Sequence, residues 1–251
     1  MTIHEFGGEG GEAILLIHPS LVKWDYFERV IPLLEGEYRL IVPALPGYDF
    51  DEDSDFTSVE QIAGELNAWV TRSGIGALYA AYGCSMGGSV ALMTALGQSV
   101  PVRHCVMAGG ITPYRLPWIA TRFIALKDYL LMMLGRAGGV GLLEKAFAAD
   151  EYSKEDLAYV AEVLKHASRK TLWRTFDSCN NYRVPDPPPR IGTRLHYWYA
   201  AGEEKERRED IRFMREVFPG TEFTRIPDLG HAGLALLKPE LFADMIRQLP
   251  D

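Results

Sequence analysis

The stretch Gly83-Cys84-Ser85-Met86-Gly87 places a serine where a predicted apolar strand, residues 78–82, gives way to a helix of small residues. A serine hydroxyl is a poor nucleophile unless it is exposed, oriented and supplied with a base. A strand-to-helix turn provides the exposure, and glycines two positions to either side permit that turn because a Cβ there would clash. The pattern therefore predicts Ser85 as a nucleophile.

A general base must lie near such a serine, and His231 is the histidine whose position fits. It follows the last predicted strand, at the carboxyl end of the sheet, where the sites of open α/β folds form. The other five lie at the N-terminus, beside strand starts, late in a helix or before the serine: His4, His104, His196, His166 and His18. The sequence predicts His231 as the base, and a solvent-exposed loop histidine is the alternative.

The imidazole needs a third group that orients it and stabilises its protonated form. Three glutamates follow the predicted strand 195–200, and Glu203 leads because it lies three residues past the strand end. Glu204 would point elsewhere, and Glu206 would begin the next helix, where the dipole favours an acid. Glu203 is the predicted acid, and Glu204 is the alternative. A purely structural interpretation is that all three glutamates are charges at the start of a helix.

The fourth part is a pair of backbone N–H groups that stabilise a developing oxyanion. Met86 follows the nucleophile and begins its helix, where N–H groups are unpaired and the dipole helps. The second donor is expected in the loop after the first buried strand, residues 18–20. Pro19 has no N–H, so Ser20 is the predicted second donor.

The predicted site residues lie in loops, so a sheet must bring these loops to one edge. The first half of the chain alternates strand-like and helix-like segments, which is typical of a parallel sheet covered by helices. Apolar runs predict strands at Ala13–Ile17, Arg39–Val42, Leu78–Tyr82, Cys105–Ala108, Leu195–Ala200 and Glu222–Ile226. Helices are predicted at Lys23–Leu34, behind a capping box of Thr57 and Glu60, after Ser85, and at Ile211–Phe218. The predicted fold class is α/β, with a mostly parallel sheet covered by helices.

The alternation of predicted strands and helices stops near Thr112, and only helical patterns follow until about Tyr182. One of these helices starts at a capping box of Ser153 and Asp156. The proline-rich stretch 184–189 then forms a stiff connector before the strands resume. The sequence therefore predicts a core over residues 1–111 and 184–251. A helical cap over residues 112–183 is predicted to be inserted after about the sixth strand.

Candidates for the substrate pocket come from the apolar cap segment over residues 118–134: Trp118, Phe123 and Tyr129. Apolar side chains over the strand ends would favour an aliphatic or aromatic acyl or alcohol group. The alternative interpretation is that these side chains pack the cap onto the sheet.

Composition excludes several classes of function. A formal net charge of −8 argues against nucleic acid as the main partner, because phosphate contacts need clustered Lys and Arg. The three cysteines show no disulfide or zinc spacing, and free thiols fit a reducing compartment. The N-terminal residues have no signal-peptide pattern, and no stretch is apolar enough to span a membrane. A cytoplasmic protein without metal or organic cofactor is expected.

With these parts in place, the chain resembles the alpha/beta hydrolase superfamily, in particular its small members with a helical cap. The resemblance runs from about Ala13 to Leu249. It rests on the strand-to-helix turn Gly83-Cys84-Ser85-Met86-Gly87, called the elbow, and on five further stretches: Ile17-His18-Pro19, Trp24-Asp25-Tyr26-Phe27 with Val30-Ile31-Pro32-Leu33-Leu34, Pro43-Ala-Leu-Pro-Gly47, Phe218-Pro219 and Gly230-His231. It implies that Ser85 is the nucleophile, His231 the base and Glu203 the acid, with Ser20 and Met86 as oxyanion donors.

Four positions depart from the usual family pattern. Pro19 replaces a glycine after His18, and Cys84 precedes the nucleophile where histidine is frequent. Ala200 and Glu203 stand where the family more often has the glycine and the aspartate of a Gly-x-x-Asp pattern. None of them removes a catalytic part. A serine nucleophile, in place of aspartate, makes the epoxide-opening and halide-displacing members poor guides to this chain.

The expected function is hydrolysis of an ester, thioester or amide of a small, apolar substrate through an acyl-enzyme. Two alternatives stay open: a non-hydrolytic ligand-binding or signalling protein with the same fold, and an enzyme using the same triad on a C–C bond or on an acyl acceptor other than water. The expected partner is a small molecule. The sequence leaves the oligomeric state open.

Overall fold

The centre of the fold is a seven-stranded sheet. The computed structural model describes residues 1–113, 115–146 and 153–250. The strands are β1 (Ile3–Phe6), β2 (Glu12–Ile17), β3 (Tyr38–Pro43), β4 (Leu78–Cys84), β5 (Val102–Ala108), β6 (Arg194–Ala200) and β7 (Glu222–Ile226). They are ordered β1-β3-β2-β4-β5-β6-β7, and every neighbouring pair is parallel except β1 and β3. The predicted α/β class with a mostly parallel sheet is confirmed.

Helices flank this sheet on both faces. They are α1 (Ile31–Leu34), α2 (Val59–Arg72), α3 (Met86–Leu96), α4 (Trp118–Gly138), α5 (Val140–Ala146), α6 (Lys154–His166), α7 (Arg169–Asn181), α8 (Arg208–Val217), α9 (Gly233–Leu237) and α10 (Pro239–Arg247). In the part of the chain that the structure describes, none of these helices combines the length and the apolar character needed to cross a bilayer.

Strand β2 shows how the apolar run produces two cores. Its side chains alternate between the two faces of the sheet. Leu15 and Ile17 pack with α2 and α3, whereas Ile14 and Leu16 pack with α1 and α10 on the opposite face. All four are fully buried. A continuous apolar run is therefore what a strand covered on both sides requires.

Two parts of the core differ from the sequence prediction. Strand β1 was not predicted; it is short and half-exposed, and pairs antiparallel with β3 at the edge of the sheet. The predicted helix Lys23–Leu34 was wrong as one element, because the structure has a 3₁₀ helix over Trp24–Phe27 and then α1. Pro32 cannot donate the backbone hydrogen bond that a continuous helix would need there, so the second helix starts around it.

Helices α4 to α7 lie between β5 and β6, and we call them the cap helices after the predicted cap. They follow the fifth strand in chain order, and the predicted position after about the sixth strand is wrong, because β6 comes after α7. Arg122 on α4 forms an ion pair with Asp177 on α7, and the rings of Tyr129 and Trp173 meet edge to face at 5.7 Å. Residues 114 and 147–152 of the predicted cap lie outside the described residues.

The N-terminus of α2 corrects the predicted capping box. Ser58, not Thr57, is the N-cap residue, and its Oγ accepts a hydrogen bond from the Gln61 N–H at 3.1 Å. Glu60 instead accepts a hydrogen bond from the Arg183 N–H at 3.0 Å, which ties α2 to the connector after the cap helices.

Replacing the capping hydroxyl should therefore destabilise the fold. Ser58→Ala is expected to lower the free energy of unfolding by about 1 kcal/mol, the usual effect of losing an N-cap side chain. Thr57→Ala is the matched control, expected to change it by less than about half that amount. Urea unfolding followed by circular dichroism measures both. An equal loss in the two variants would contradict the assignment of Ser58 as the cap.

Candidate active site

Ser85 lies at the turn between β4 and α3, with a positive φ of 52° and a ψ of −117°. Its N–H donates a hydrogen bond to the Ala108 carbonyl at the end of the neighbouring strand, at 2.8 Å. The turn is so tight that a Cβ on Gly83 would lie 1.9 Å from the Gly87 carbonyl oxygen. The glycines that identified the motif are therefore required by close backbone approach.

Met86 is the first residue of α3 and is buried. The first N–H groups of a helix have no acceptor within the helix, and they carry the positive end of its dipole. Ser85 therefore stands at an electropositive helix N-terminus, with the Met86 amide beside it. This is the environment that a developing negative charge next to Ser85 would need.

His231 and Glu203 meet at 2.5 Å between Nδ1 and Oε2. Glu203 lies in a 3₁₀ helix over Ala201–Glu203, directly after β6, and its Oε1 accepts the Ala200 N–H at 3.0 Å. Burial alone would raise the pKa of this carboxyl. The hydrogen bond and charge of His231, with the Ala200 N–H and Arg207, outweigh burial and hold the pKa below its ordinary value. Glu203 is therefore a carboxylate in direct contact with the imidazole.

The other two glutamates of this turn are not at the histidine. Glu204 is exposed, and its Oε2 accepts a hydrogen bond from Arg225 at 2.8 Å. Glu206 is exposed just before α8. Of the alternatives that the sequence left open, the structure brings Glu203 to His231.

A buried network surrounds the Glu203 carboxylate. Gly109, with φ +54°, lies against it, and a Cβ there would come within 2.7 Å of Oε2. Arg207 Nε is 3.9 Å from the same oxygen, and Arg207 Nη1 is 3.2 Å from Asp210 Oδ2. Asp210 Oδ1 accepts the Thr112 N–H at 2.7 Å. The acid is thereby linked to the residue at which the predicted cap begins.

His18 is a residue of this region that sequence reasoning set aside. It is fully buried, and its Nε2 accepts the Leu45 N–H at 3.3 Å, which leaves the proton on Nδ1 to bond the Pro19 carbonyl at 2.8 Å. Burial lowers its pKa to about 4, so the ring is neutral. A neutral imidazole bonded on both sides fixes the loop that carries Ser20. The feature of the sequence that could have identified His18 is its position directly after a buried strand.

Ser85, His231 and Ser20 line one cavity of about 150 Å³. Ser85 is almost fully buried, whereas the His231 side chain is 43% exposed. Most of the remaining wall is apolar: Pro19, Leu21, Val22, Leu157, Val160 and Leu236. The cavity therefore brings together the buried Ser85 hydroxyl, the partly solvent-exposed His231 imidazole and an apolar wall.

Backbone strain is concentrated around this cavity. Among the described residues, five other than glycine have a positive φ, and three of them line the cavity: Leu21, Ser85 and Ala232. Leu21 and Ala232 each adjoin a residue of the predicted site. Such strain persists only where the surrounding structure enforces it, and it gathers at functional sites. The Tyr26 hydroxyl, which donates to the Ala232 carbonyl at 2.7 Å, is one of the restraints.

The predicted pocket residues do not reach the cavity. Trp118 and Phe123 lie on the outer face of α4 and are 66% and 67% exposed, and Tyr129 packs against Trp173 between the cap helices. The cap contributes α6 in their place. Tyr159 of α6 donates a hydrogen bond to Asp25 and accepts the Lys23 N–H at 2.8 Å, which ties the cap to the segment after the Ser20 loop.

The site contains no grouping typical of a metal centre. Among residues 1–113, 115–146 and 153–250, no three His, Cys, Asp or Glu side chains lie close enough together to hold a metal ion. The chemistry available at the described site is that of a hydroxyl, an imidazole, a carboxylate and backbone N–H groups.

Comparisons with known proteins bear on the family and on the fold. The sequence profile of the alpha/beta hydrolase family matches residues 14–245. The crystal structure of a putative alpha/beta hydrolase family protein from Desulfitobacterium hafniense is similar, with a TM-score of 0.78 and 24% identity over 98% of this chain and 99% of that chain. MenH from S. aureus has a TM-score of 0.77 and 18% identity, over 98% of this chain and 96% of that chain. At these identities the two structures show a shared fold.

Curated relatives match over shorter stretches. The magnesium-chelatase 30 kDa subunit of Rhodobacter capsulatus is 29% identical in an alignment of 156 positions that covers 53% of this chain and 54% of that protein. The chain thus spans about half or less of the length of the curated relatives it matches.

The buried His18 makes stability depend on pH. Its pKa is about 4 in the folded protein and about 6.5 in an unfolded chain, so between these values only the unfolded chain takes up the proton. The free energy of unfolding should therefore fall as pH decreases from 6.5 to 4, by roughly 3 kcal/mol for this group. His18→Asn should be less stable than wild type at pH 7.5, and the gap should narrow towards pH 4.5. Urea unfolding at several pH values tests this, and a constant gap would contradict it.

Proposed function

Because the chain belongs to the alpha/beta hydrolase family, we propose that it is a serine hydrolase that cleaves an ester, thioester or amide of a small, apolar substrate. Ser85 is the nucleophile, His231 the general base and Glu203 the acid that orients it. The single observation that carries this proposal is the 2.5 Å contact of His231 with Glu203 at a cavity that Ser85 also lines.

The protonation states follow from the contacts of Glu203. An ionised carboxylate only accepts hydrogen bonds, so the proton between Glu203 and His231 belongs to Nδ1 of the imidazole. Nε2 then carries the lone pair that can take the proton of the Ser85 hydroxyl. As the hydroxyl oxygen attacks the substrate carbonyl carbon, the imidazolium that forms is stabilised by the carboxylate behind it.

The oxyanion of the tetrahedral intermediate would be held by the backbone N–H groups of Met86 and Ser20. Met86 offers a helix N-terminal amide directly after Ser85, and Ser20 lines the cavity that Ser85 also lines. His18 holds the Ser20 loop in place through its bonds to Pro19 and Leu45. Donors that are fixed before the reaction stabilise developing charge without reorganising.

The second half of the reaction releases the acyl group. The imidazolium protonates the leaving group, the carbonyl reforms as the Ser85 ester, and His231 then removes a proton from an attacking water. The 43% exposure of the His231 side chain gives water a route to the base. Ser85 itself is buried, so the acyl group would reside in the apolar compartment.

The size of the cavity supports a small acyl group. Pockets for drug-sized ligands usually enclose roughly 300 to 1,000 Å³, whereas this one encloses about 150 Å³. Among the described residues that line it there is no lysine or arginine to pair with an acidic acyl chain, and the cap helix α6 contributes Asp156. A short aliphatic acyl group fits both the volume and the charge.

The cysteines agree with a reducing compartment, and we assign the protein to the cytoplasm on that ground. Cys84, Cys105 and Cys179 are all free and buried. Burial raises the pKa of the Cys84 thiol to about 12, so this neighbour of Ser85 is not a competing nucleophile.

The first test of this proposal is turnover of p-nitrophenyl acetate and butyrate. Wild type should hydrolyse both, and Ser85→Ala should lower kcat/KM at least about 1,000-fold, because the covalent path is lost. Ser89→Ala, one turn further along α3, is the matched serine control and should retain most of the activity. Intact-mass spectrometry with a fluorophosphonate should show one adduct on wild type and none on Ser85→Ala.

Two outcomes would contradict the proposal. Absence of both turnover and adduct would favour the non-hydrolytic binding protein. Adduct formation without hydrolysis of any ester would favour a C–C hydrolase or an acyltransferase that uses the same three residues.

The acid is tested by a pair of amide substitutions. Glu203→Gln should lower kcat by about 100- to 10,000-fold, because an amide N–H facing Nδ1 favours the wrong tautomer of His231. Glu204→Gln, at an exposed neighbour paired with Arg225, should change kcat by less than about twofold. Steady-state kinetics with p-nitrophenyl butyrate compares the two. Equal effects would remove Glu203 from its proposed role.

A further inference from the structure

The outer face of the cap helices is unusually apolar. Of the eleven large hydrophobic side chains that are exposed in the described part of the chain, nine lie between residues 116 and 142. Five of them form a line along α4, which we call the α4 stripe: Ile119, Phe123, Leu126, Leu130 and Leu134. Their exposed fractions range from 41% to 67%. Monomeric proteins seldom leave so many apolar groups contiguous, and such patches mark interaction sites.

The stripe is a second apolar face of a helix whose first face is already used. Thr121, Ala125 and Gly135 are buried where α4 packs against the other cap helices. The stripe residues follow one another at steps of four, three, four and four, so they share the opposite side of the helix. Packing within the chain therefore accounts for one face of α4 and leaves the other uncovered.

The uncovered area is close to what a stable interface requires. Leu116, Trp118 and Leu131 flank the stripe and are also at least half exposed. If each of the eight side chains offers roughly 150 Å² when fully exposed, their exposed fractions leave about 670 Å² of apolar surface in contact with water. Standard interfaces bury about 800 Å² per partner, with an apolar centre and a polar rim. The stripe has the size of such a centre.

We propose that the α4 stripe is the interface of a two-fold homodimer, in which α4 packs antiparallel on α4 of a second copy. A two-fold interface must be complementary to itself. The stripe is complementary to itself when the two-fold axis passes between residues 126 and 127. Ile119 then faces Leu134 of the second copy, Phe123 faces Leu130, and the two Leu126 side chains meet at the axis.

The charges around the stripe favour a second copy over a lipid surface. Lys127 and Asp128, beside the axis, bond at 3.3 Å and together bring no net charge to it. Arg115 and Arg122 are paired with Glu216 and Asp177. A helix that lies on an anionic membrane needs a fringe of cations that attract the headgroups. Here the neighbouring cations are paired within a chain of net charge −8.

Sedimentation velocity tests the dimer directly. Wild type is expected to sediment at twice the mass of the 28.1 kDa chain. Phe123→Glu and Leu130→Glu should sediment as monomers, with the dissociation constant raised at least about 100-fold, because two charges would be buried without partners. Leu241→Glu, at an exposed leucine on α10, is the matched control and should remain dimeric. An unchanged far-ultraviolet circular dichroism spectrum of each variant would show that the fold is intact.

Cross-linking tests the antiparallel register. The native cysteines are buried, so a cysteine introduced on the stripe is the thiol that a short bismaleimide can reach. Leu126→Cys should cross-link efficiently, because the two copies of this residue meet at the axis. Leu134→Cys should not, because its two copies would lie about 22 Å apart along the helices at 1.5 Å per residue. A mixture of Ile119→Cys and Leu134→Cys should cross-link again.

Three results would overturn the proposal. One is a wild-type protein that sediments as a monomer at 100-fold the working concentration of the esterase assay. Another is a dimer that Phe123→Glu and Leu130→Glu leave intact, which would place the interface elsewhere. The third is a monomer that binds phosphatidylcholine or phosphatidylglycerol vesicles and loses this binding in Phe123→Glu, which would assign the stripe to a membrane surface.

Discussion

The backbone of Ser85 adopts a conformation that its own Cβ disfavours, and much of the fold serves to hold it there. A residue other than glycine at positive φ costs of order 1 to 3 kcal/mol. β4 lies between β2 and β5, so the approach to the turn is fixed on both sides. The Ala108 carbonyl accepts the Ser85 N–H, and α3 begins at once. The strain is sustained by the buried centre of the sheet, where stability is greatest.

Parallel order in the sheet then delivers the other proposed residues to the same edge. Glu203 follows β6 and His231 follows β7, so both loops leave the sheet where Ser85 does. The two loops are joined, because the Gly202 N–H donates to the Leu229 carbonyl at 3.0 Å. Glu203 is also tied to the end of its own strand through Ala200. The imidazole is thus oriented by backbone contacts at each step, and not by the carboxylate alone.

The parts of the site that could be predicted from sequence are those fixed by local structure. The elbow needs glycines at set positions, a buried strand reads as an apolar run, and the loops after β6 and β7 follow from the strand order. Glu203 could be ranked above Glu204 by its distance from the strand end alone. His18 was not assigned, because its role depends on Leu45, 27 residues away in the chain. Strand β1 was not predicted because an exposed edge strand has no continuous apolar run.

The cap shows why the pocket residues could not be chosen in advance. α4 is apolar on two faces, so helical periodicity predicts burial of both and does not say which one meets the sheet. The choice is made by contacts across the chain: Arg122 with Asp177 turns one face of α4 inward, and Tyr159 with Asp25 draws α6 over Ser85. Once α6 forms the cavity wall, Trp118 and Phe123 are left on the outside. The apolar residues that suggested a substrate pocket therefore become, in the folded chain, the surface for which a second copy is proposed. Because α4 packs directly on α6, pairing of two copies through α4 would brace the wall that shapes the cavity.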